Sequence, residues 1–177
     1  IQLIAKHSDF MDEILRLAWQ RFTWNENNNA WRKSRIALVA VGGYGRRELL
    51  PHSDIDVMIL LERQNQNIHR SNIQSFTTLL WDIGLKVGHS VRSVKDCRSQ
   101  AAADVTVMTA LLEARIIVGA PDLMAKMERQ LNQRKLWPAK TFFEAKRREQ
   151  LDRHAKSDHT EYSLEPNVKT SPGGLRD

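Results

Sequence analysis

The sequence predicts an α/β fold of the α+β kind, with a small mixed sheet and flanking helices. Two apolar runs, 36–41 and 55–61, are rich in β-branched residues and predict buried strands. Amphipathic stretches with helical spacing lie before and after these runs. The chain has 177 residues, of which 41% are hydrophobic. That length and composition are enough to bury the core of one good-sized domain.

The first predicted helix spans residues 8–22. Ser8 is a suitable N-cap, and acidic residues follow it in the first turns, where they favour a helix. Its predicted inward side consists of Phe10, Met11, Ile14, Leu15, Leu17 and Ala18. The polar stretch 25–29 predicts a surface loop, because asparagine side chains there compete for backbone hydrogen bonds.

Helices and one further strand are predicted after the second apolar run. In order they are a helix over 71–81, a strand over 85–91, helices from about 94 and over 104–113, one starting near Pro121, and one over 141–156. The predicted inward residues of two of these helices are Ile73, Phe76, Thr77, Leu80 and Trp81, and then Leu123, Met124, Met127 and Leu131. Capping boxes at 93–96 and 141–144 predict two of the helix starts. Gly84 and Gly88 predict a bend or a close backbone approach in the third strand.

A glycine loop joins the first two strands. Three of the eight glycines of the chain fall within residues 42–45, directly after the first strand. Without Cβ atoms, the turn at Gly42 and Gly43 lets backbone N–H groups approach a phosphate, and Arg46 and Arg47 follow nearby. The stretch matches neither the dinucleotide-binding glycine motif nor the P-loop motif. A plain β-turn is the alternative interpretation.

Two aspartates open the second strand. Asp54 and Asp56 are two residues apart, so strand alternation places both carboxylates on one face. Neighbouring ionised carboxylates repel each other, and a bound cation relieves that repulsion. Carboxylate oxygens suit Mg²⁺, or alternatively Mn²⁺, and such ions can bridge phosphate groups. The pattern therefore predicts a metal site beside the glycine loop, with two solvent-facing aspartates as the alternative.

The glycine pair followed by Asp-x-Asp in an apolar strand resembles the nucleotidyltransferase superfamily that includes DNA polymerase β. Further segments narrow the resemblance to the amino-terminal part of the bifunctional uridylyltransferase/uridylyl-removing enzymes. These segments are 39–61, 81–82 with 86–92, 111–119, 162–167 and 171–177. The resemblance covers nearly the whole chain after about residue 30. It implies a polymerase β-like core at 35–120, preceded by a helical segment at 1–34 and followed by a helical extension at 121–177.

The activity implied by this resemblance is transfer of UMP from UTP to a tyrosine of the PII nitrogen-regulatory protein, with release of pyrophosphate. Members of the family are longer and carry a phosphohydrolase domain of the HD type and two ACT domains. No counterpart of these domains is recognised in this sequence, so we expect it to be a transferase fragment ending in a truncated Gly-Gly-Leu-Arg-Asp segment. We also expect a cytoplasmic protein, since the sequence shows neither a membrane span nor a signal peptide.

The resemblance implies roles for particular residues. Asp54 and Asp56 would bind the metal and carry catalysis, and the nucleotide would contact Gly42, Gly43, Ser53 and Arg46. Relatives in the superfamily place a third carboxylate on the next strand, but residues 86–92 contain none. Asp104, His89 and Asp177 are the candidates for that third group. A helix cap or a surface position is the alternative for the two aspartates, and an ordinary strand position is the alternative for His89.

Two other functions stay open from the sequence. A related nucleotidyltransferase could use another nucleotide or acceptor. An example is the enzyme that adenylylates glutamine synthetase, which resembles this chain in the glycine pair, the Asp-x-Asp element and the Gly-Gly-hydrophobe-Arg-acidic element. A nucleotide-sensing module without catalytic activity would fit the missing third carboxylate. Trials of the nucleoside triphosphates against both acceptors would separate these possibilities.

The net charge of +6 is concentrated in one segment. Residues 126–156 contain ten Lys or Arg against four Asp or Glu, while the rest of the chain is near neutral. Few aromatic residues accompany these charges, so we expect a solvated helical face or a phosphate-binding role, and no nucleic-acid surface. The single Cys97 excludes an internal disulfide and is predicted to be structural.

Overall fold

The computed structural model describes residues 2–24, 35–51, 53–62, 69–132 and 136–158. In chain order the elements are α1 (Gln2–Gln20), β1 (Ile36–Ala40), α2 (Gly42–Gly45), β2 (Ile55–Leu61), α3 (Arg70–Asp82), β3 (Val87–Ser93), α4 (Val94–Ala103), α5 (Val105–Leu112), β4 (Arg115–Gly119), α6 (Pro121–Gln130) and α7 (Ala139–Asp158). The chain divides into two compact units, Ile1–Asn132 and Gln133–Asp177. None of the helices in the described residues is long and apolar enough to cross a membrane.

The four strands form one mixed sheet in the order β3-β2-β1-β4. β1 runs antiparallel to both of its neighbours, while β2 and β3 are parallel. A parallel pair needs a crossover connection, and α3 supplies it. The predicted α/β class and the mixed character of the sheet are therefore confirmed.

The two faces of the sheet are buried by different helices. On one face, Leu15 of α1 and Phe76 of α3 join the inward residues of β1 and β2 in a single hydrophobic cluster. On the other face α4 and α6 pack against the strands. There Cys97 is fully buried with its Sγ atom 3.7 Å from Met58 Sδ. Burial raises the pKa of Cys97 to about 11, which fits the structural role predicted for it.

Several predicted boundaries hold. β2 has the predicted ends, and the capping box is present at Ser93, whose side chain accepts from the Asp96 amide at 3.1 Å. α6 begins at Pro121, and its whole predicted apolar stripe is buried. In α7, Glu149 pairs with Arg153 at 3.2 Å. The predicted loop at 25–29 lies outside the described residues.

The start of the first helix was predicted wrongly and its inward side only partly correctly, since Met11, Leu15 and Ala18 are buried as predicted. α1 begins six residues earlier, and Ser8 lies within it, where its hydroxyl donates to the Ile4 carbonyl and accepts from the Leu49 amide. Phe10 and Leu17 are 62% and 63% exposed. The true buried stripe is rotated around the helix and consists of Ser8, Met11, Asp12, Leu15, Ala18 and Trp19. The hydrophobic pattern did not reveal the whole of this stripe, because two of its residues, Ser8 and Asp12, are polar.

Three later predictions also need correction. Trp81, predicted inward, is 53% exposed at the end of α3. β3 covers Val87–Ser93, two residues further on than predicted, because the Leu85 amide still bonds to the Leu80 carbonyl at the end of α3. α7 starts at Ala139, so the predicted cap at Thr141 lies inside the helix.

The division into units differs from the boundaries expected at 34/35 and 120/121. α1 packs on the sheet face and contacts β4, while α6 contacts β1 and β2. Both helices therefore belong to the same compact unit as the strands.

Candidate active site

The glycine loop and the acidic strand lie together at one end of the central strands, where β1 ends and β2 begins. β1 ends at Ala40 opposite Val57, and the Val41 amide then donates to the Asp56 carbonyl at 3.1 Å. This bond fixes the start of α2 beside the start of β2. The positions predicted from sequence as a phosphate loop and a metal pair are therefore neighbours in the structure.

The carboxylate of Asp56 lies between two glycines. A Cβ atom built on Gly42 would lie 3.9 Å from Asp56 Oδ2, and one built on Gly88 would lie 2.6 Å from Asp56 Oδ1. Gly88 is the residue paired with Asp56 across β2 and β3. The group that comes close to Gly88 is thus an aspartate side chain, not the backbone segment that was predicted. Glycine at 88 leaves the carboxylate room to lean over β3.

Gly42 is favoured by its backbone conformation, because a Cβ atom there would make only ordinary van der Waals contact with Asp56 Oδ2. The φ angle of Gly42 is +59°, a left-handed conformation that residues with a Cβ atom adopt at a cost. The first intrahelical bond of α2 runs from the Gly45 amide to the Val41 carbonyl, so the amides of Gly42 and Gly43 precede it. Val41, the N-cap, makes no side-chain capping bond. These two amides therefore begin a helical turn that has no side-chain cap.

Asp54 and Asp56 are both exposed at the start of β2, while Ile55 and Val57 are buried. This alternation agrees with the prediction that the two carboxylates share a face. In the described residues, no group of three or more His, Cys, Asp or Glu side chains is placed to hold a metal. Two carboxylates nevertheless fit Mg²⁺, which is commonly bound by one or two carboxylates together with substrate phosphates and water.

Arg46 is held by two acidic side chains. Its guanidinium pairs with Glu48 at 2.8 Å and with Glu113 at 2.7 Å, which joins α2 to the end of α5. Burial alone would lower the pKa of Arg46, but these hydrogen bonds and charges raise it overall. The side chain stays near the loop, since a Cβ atom on Gly43 would lie 3.9 Å from Arg46 Nη2. Ser53 is partly buried, and its amide donates to the Leu50 carbonyl at 3.0 Å.

The two candidates for a third catalytic group that lie in the described residues, His89 and Asp104, do not join this cluster. His89 is paired with Val57, so alternation places it on the opposite face from Asp56. It packs against Trp81, with ring centroids 5.7 Å apart, in an open cleft of about 440 Å³ between α3 and β3. Asp104 caps α5 by accepting from the Thr106 amide at 2.7 Å. Asp177 lies outside the described residues.

The sequence interpretation missed a buried network beneath α2. Asp12 accepts hydrogen bonds from the Tyr44 hydroxyl at 2.6 Å and from two nitrogens of Arg115 at 2.5 and 3.0 Å. Burial, followed by the bond to Asp12, raises the pKa of Tyr44 well above its usual range, so the phenol stays neutral. For Arg115, burial lowers the pKa, but its bonds to Asp12 outweigh that effect and raise it. The network ties the glycine loop to α1 and β4.

Comparison with known proteins agrees with this geometry. Residues 23–102 match the family model described as a nucleotidyltransferase domain. Strands β1, β2 and β3 and the glycine loop lie within that match, whereas β4 follows it, so the chain carries a nucleotidyltransferase domain. Domains of this class generally use divalent metal ions.

A match to a more specific family comes from the carboxy-terminal part of the chain. Residues 141–177 match the family model described as GlnD PII-uridylyltransferase. Relatives named bifunctional uridylyltransferase/uridylyl-removing enzyme are 54% identical in Stutzerimonas stutzeri, 52% in Azotobacter vinelandii and 54% in Pseudomonas aeruginosa, each over 99% of this chain. The resemblance predicted from the motifs is therefore confirmed. The chain covers 19% of the length of these relatives.

Proposed function

We propose that this chain is the nucleotidyl-transferring part of a uridylyltransferase, which transfers UMP from UTP to a tyrosine of a PII signal protein. The observation that carries the proposal is the Asp56 carboxylate, held between Gly42 and Gly88 at the start of a strand that also presents Asp54. The names of the relatives supply uridylyl transfer, and the description of the matching family model supplies PII, as the chemistry to test.

In the proposed reaction, the acceptor hydroxyl loses its proton and its oxygen bonds to the α-phosphorus of UTP. The bond from that phosphorus to the bridging oxygen breaks, and pyrophosphate leaves. Asp54 and Asp56 would hold Mg²⁺ (or Mn²⁺), which neutralises phosphate charge when bound. The amides of Gly42 and Gly43 would donate to phosphate oxygens, as uncapped amides at the start of a helical turn can.

The positions of the remaining predicted contacts support smaller roles. Arg46 is anchored by Glu48 and Glu113, so we assign it to holding α2 in place, with its Nη2 beside Gly43. Ser53 directly precedes Asp54. We propose that its hydroxyl donates a hydrogen bond to a phosphate oxygen. Neither Asp104 nor His89 is assigned a catalytic role, because one caps α5 and the other lies across the sheet.

The direct test offers each of the four ribonucleoside triphosphates, with Mg²⁺, to the 177-residue chain together with PII or with glutamine synthetase. The proposal requires labelling of PII from UTP, with one pyrophosphate released per label. Labelling of glutamine synthetase from ATP would instead indicate the adenylylating relative. Binding of UTP with neither label nor pyrophosphate would indicate a nucleotide-sensing module, or a fragment that needs the rest of a longer chain.

Replacing Gly88 with alanine is expected to impair this site with little effect on stability. The new Cβ atom would lie 2.6 Å from Asp56 Oδ1, so the carboxylate would have to swing away. Because the obstacle is the end of a flexible side chain, the strand itself can stay in place. We expect at least a tenfold loss of Mn²⁺ affinity, comparable to disturbing the outer contacts of a metal ligand. A titration with Mn²⁺, monitored by electron paramagnetic resonance, would measure this affinity.

A matched control is Ala102→Gly on α4, which makes the reverse change at an exposed position. It should lower helix stability slightly and leave Mn²⁺ affinity unchanged. Unchanged Mn²⁺ binding in Gly88→Ala would show that Asp56 does not need the space over β3.

A further inference from the structure

The edge strand β3 places a lysine beside the acidic pair. Ile55 pairs with Val87, and the Ile55 amide donates to the Lys86 carbonyl at 2.9 Å. Lys86, the residue directly before β3, therefore lies next to Asp54, two residues before the pairing of Asp56 with Gly88. Neighbouring strands are about 4.8 Å apart, and alternation directs residues 86 and 88 toward the same face.

The lysine stands where the superfamily pattern led us to seek a third carboxylate. Lys86 and Asp54 are both exposed, and Gly88 has no side chain to separate the lysine from the Asp56 carboxylate. Among the described residues, no ion pair within 4.0 Å involves Lys86. Its ammonium group, on a flexible stem, is therefore available to an anion bound at this face.

The charge of Lys86 has opposite consequences for the two ligands of the site. A cation next to Asp54 and Asp56 opposes binding of a divalent ion to the protein alone, by Coulomb repulsion. The same ammonium favours a bound polyphosphate, since lysine binds phosphate as a point charge. A role that is only structural would not move the two affinities in opposite directions.

We propose that Lys86 is a nucleotide-binding residue that contacts the triphosphate of the substrate at the acidic face. This inference rests on the proposed function, because it takes the ligand of Asp54 and Asp56 to be a metal-bound nucleotide. It assigns the third strand the task of neutralising phosphate charge, in place of a third acidic ligand.

The test compares the unaltered chain with Lys86→Gln, Lys86→Arg and the control Lys95→Gln. Lys95 is exposed on α4, which starts at the other end of β3. In Lys86→Gln we expect UTP affinity with Mg²⁺, measured by calorimetry, to fall about tenfold, as for a lost hydrogen bond to a charged group. Mn²⁺ affinity without nucleotide should rise roughly threefold, after screening by salt. Lys86→Arg should restore most of the UTP affinity, and Lys95→Gln should change neither affinity.

Each outcome bears on the inference. Weakening of both ligands by Lys86→Gln, or the same shifts in Lys95→Gln, would overturn it, as would UTP affinity that does not change. If the unaltered chain binds UTP with the predicted dependence on Lys86 but labels no PII, the inference stands and the proposed transfer fails. If the unaltered chain binds no UTP at all, both fail.

Discussion

Replacing Asp56 with asparagine is expected to abolish UMP transfer while leaving the fold intact. The amide keeps the size of the side chain, so the space between Gly42 and Gly88 is filled as before. It removes the charge that would hold a divalent ion, and metal neutralisation of phosphate is worth several kcal/mol in a transition state. At 1.36 kcal/mol per tenfold, the rate should fall by a factor on the order of 10³ or more. Incorporation of radiolabelled UMP into PII measures this loss.

The stability of the fold in Asp56→Asn should rise or stay the same, although the transfer rate falls. Asp54 and Asp56 are like charges on one face, so removing one of them relieves repulsion in the protein without metal. The melting temperature of Asp56→Asn should therefore equal or exceed that of the unaltered chain. Asp82→Asn is the control, because Asp82 is exposed at the end of α3 and should affect neither quantity. An Asp56→Asn protein that still labels PII at the normal rate would exclude Asp56 as a metal ligand.

The parts of the site that the sequence predicted are local in the chain. Gly42, Gly43, Asp54 and Asp56 lie within fifteen residues, and strand alternation with a tight turn is enough to bring them together. Strands β1, β2 and β3 were likewise predictable, because they are short runs with apolar residues between amphipathic helices, whereas β4 was not predicted. Gly88 was also noticeable in the sequence. A glycine inside a strand weakens the strand, and it often marks a place where another group comes close.

The parts that were missed depend on contacts between distant residues. The register of β2 against β3 decides that Gly88 faces Asp56 and that His89 lies on the other face, and a one-residue shift would reverse both. Asp12 meets Arg115 across 103 residues of sequence. An aspartate in an amphipathic helix is normally assigned to the solvent side, so its burial had no local signal.

That buried aspartate gives the largest stability effect we expect in the chain. Asp12 is 2% exposed, and the charge of Arg115 beside it is paired through two nitrogens. Replacing Asp12 with alanine would leave the Tyr44 hydroxyl without this acceptor and the guanidinium without its carboxylate, with only the Gly45 and Tyr44 carbonyls as acceptors. Breaking a buried ion pair on one side typically costs about 3–5 kcal/mol. Urea unfolding monitored by tryptophan fluorescence should show a lower midpoint with an unchanged slope.

Asp9 on the same helix offers a matched control for Asp12. It also pairs with an arginine, Arg47 at 3.1 Å, but both side chains of that pair are about half exposed. Such surface pairs contribute about 0–1 kcal/mol, so Asp9→Ala should unfold close to the unaltered chain. Equal losses from Asp9→Ala and Asp12→Ala would contradict the buried network. Because Asp12 holds Tyr44 of α2, its replacement should also weaken UTP binding under conditions where the protein is still folded, whereas Asp9→Ala should not.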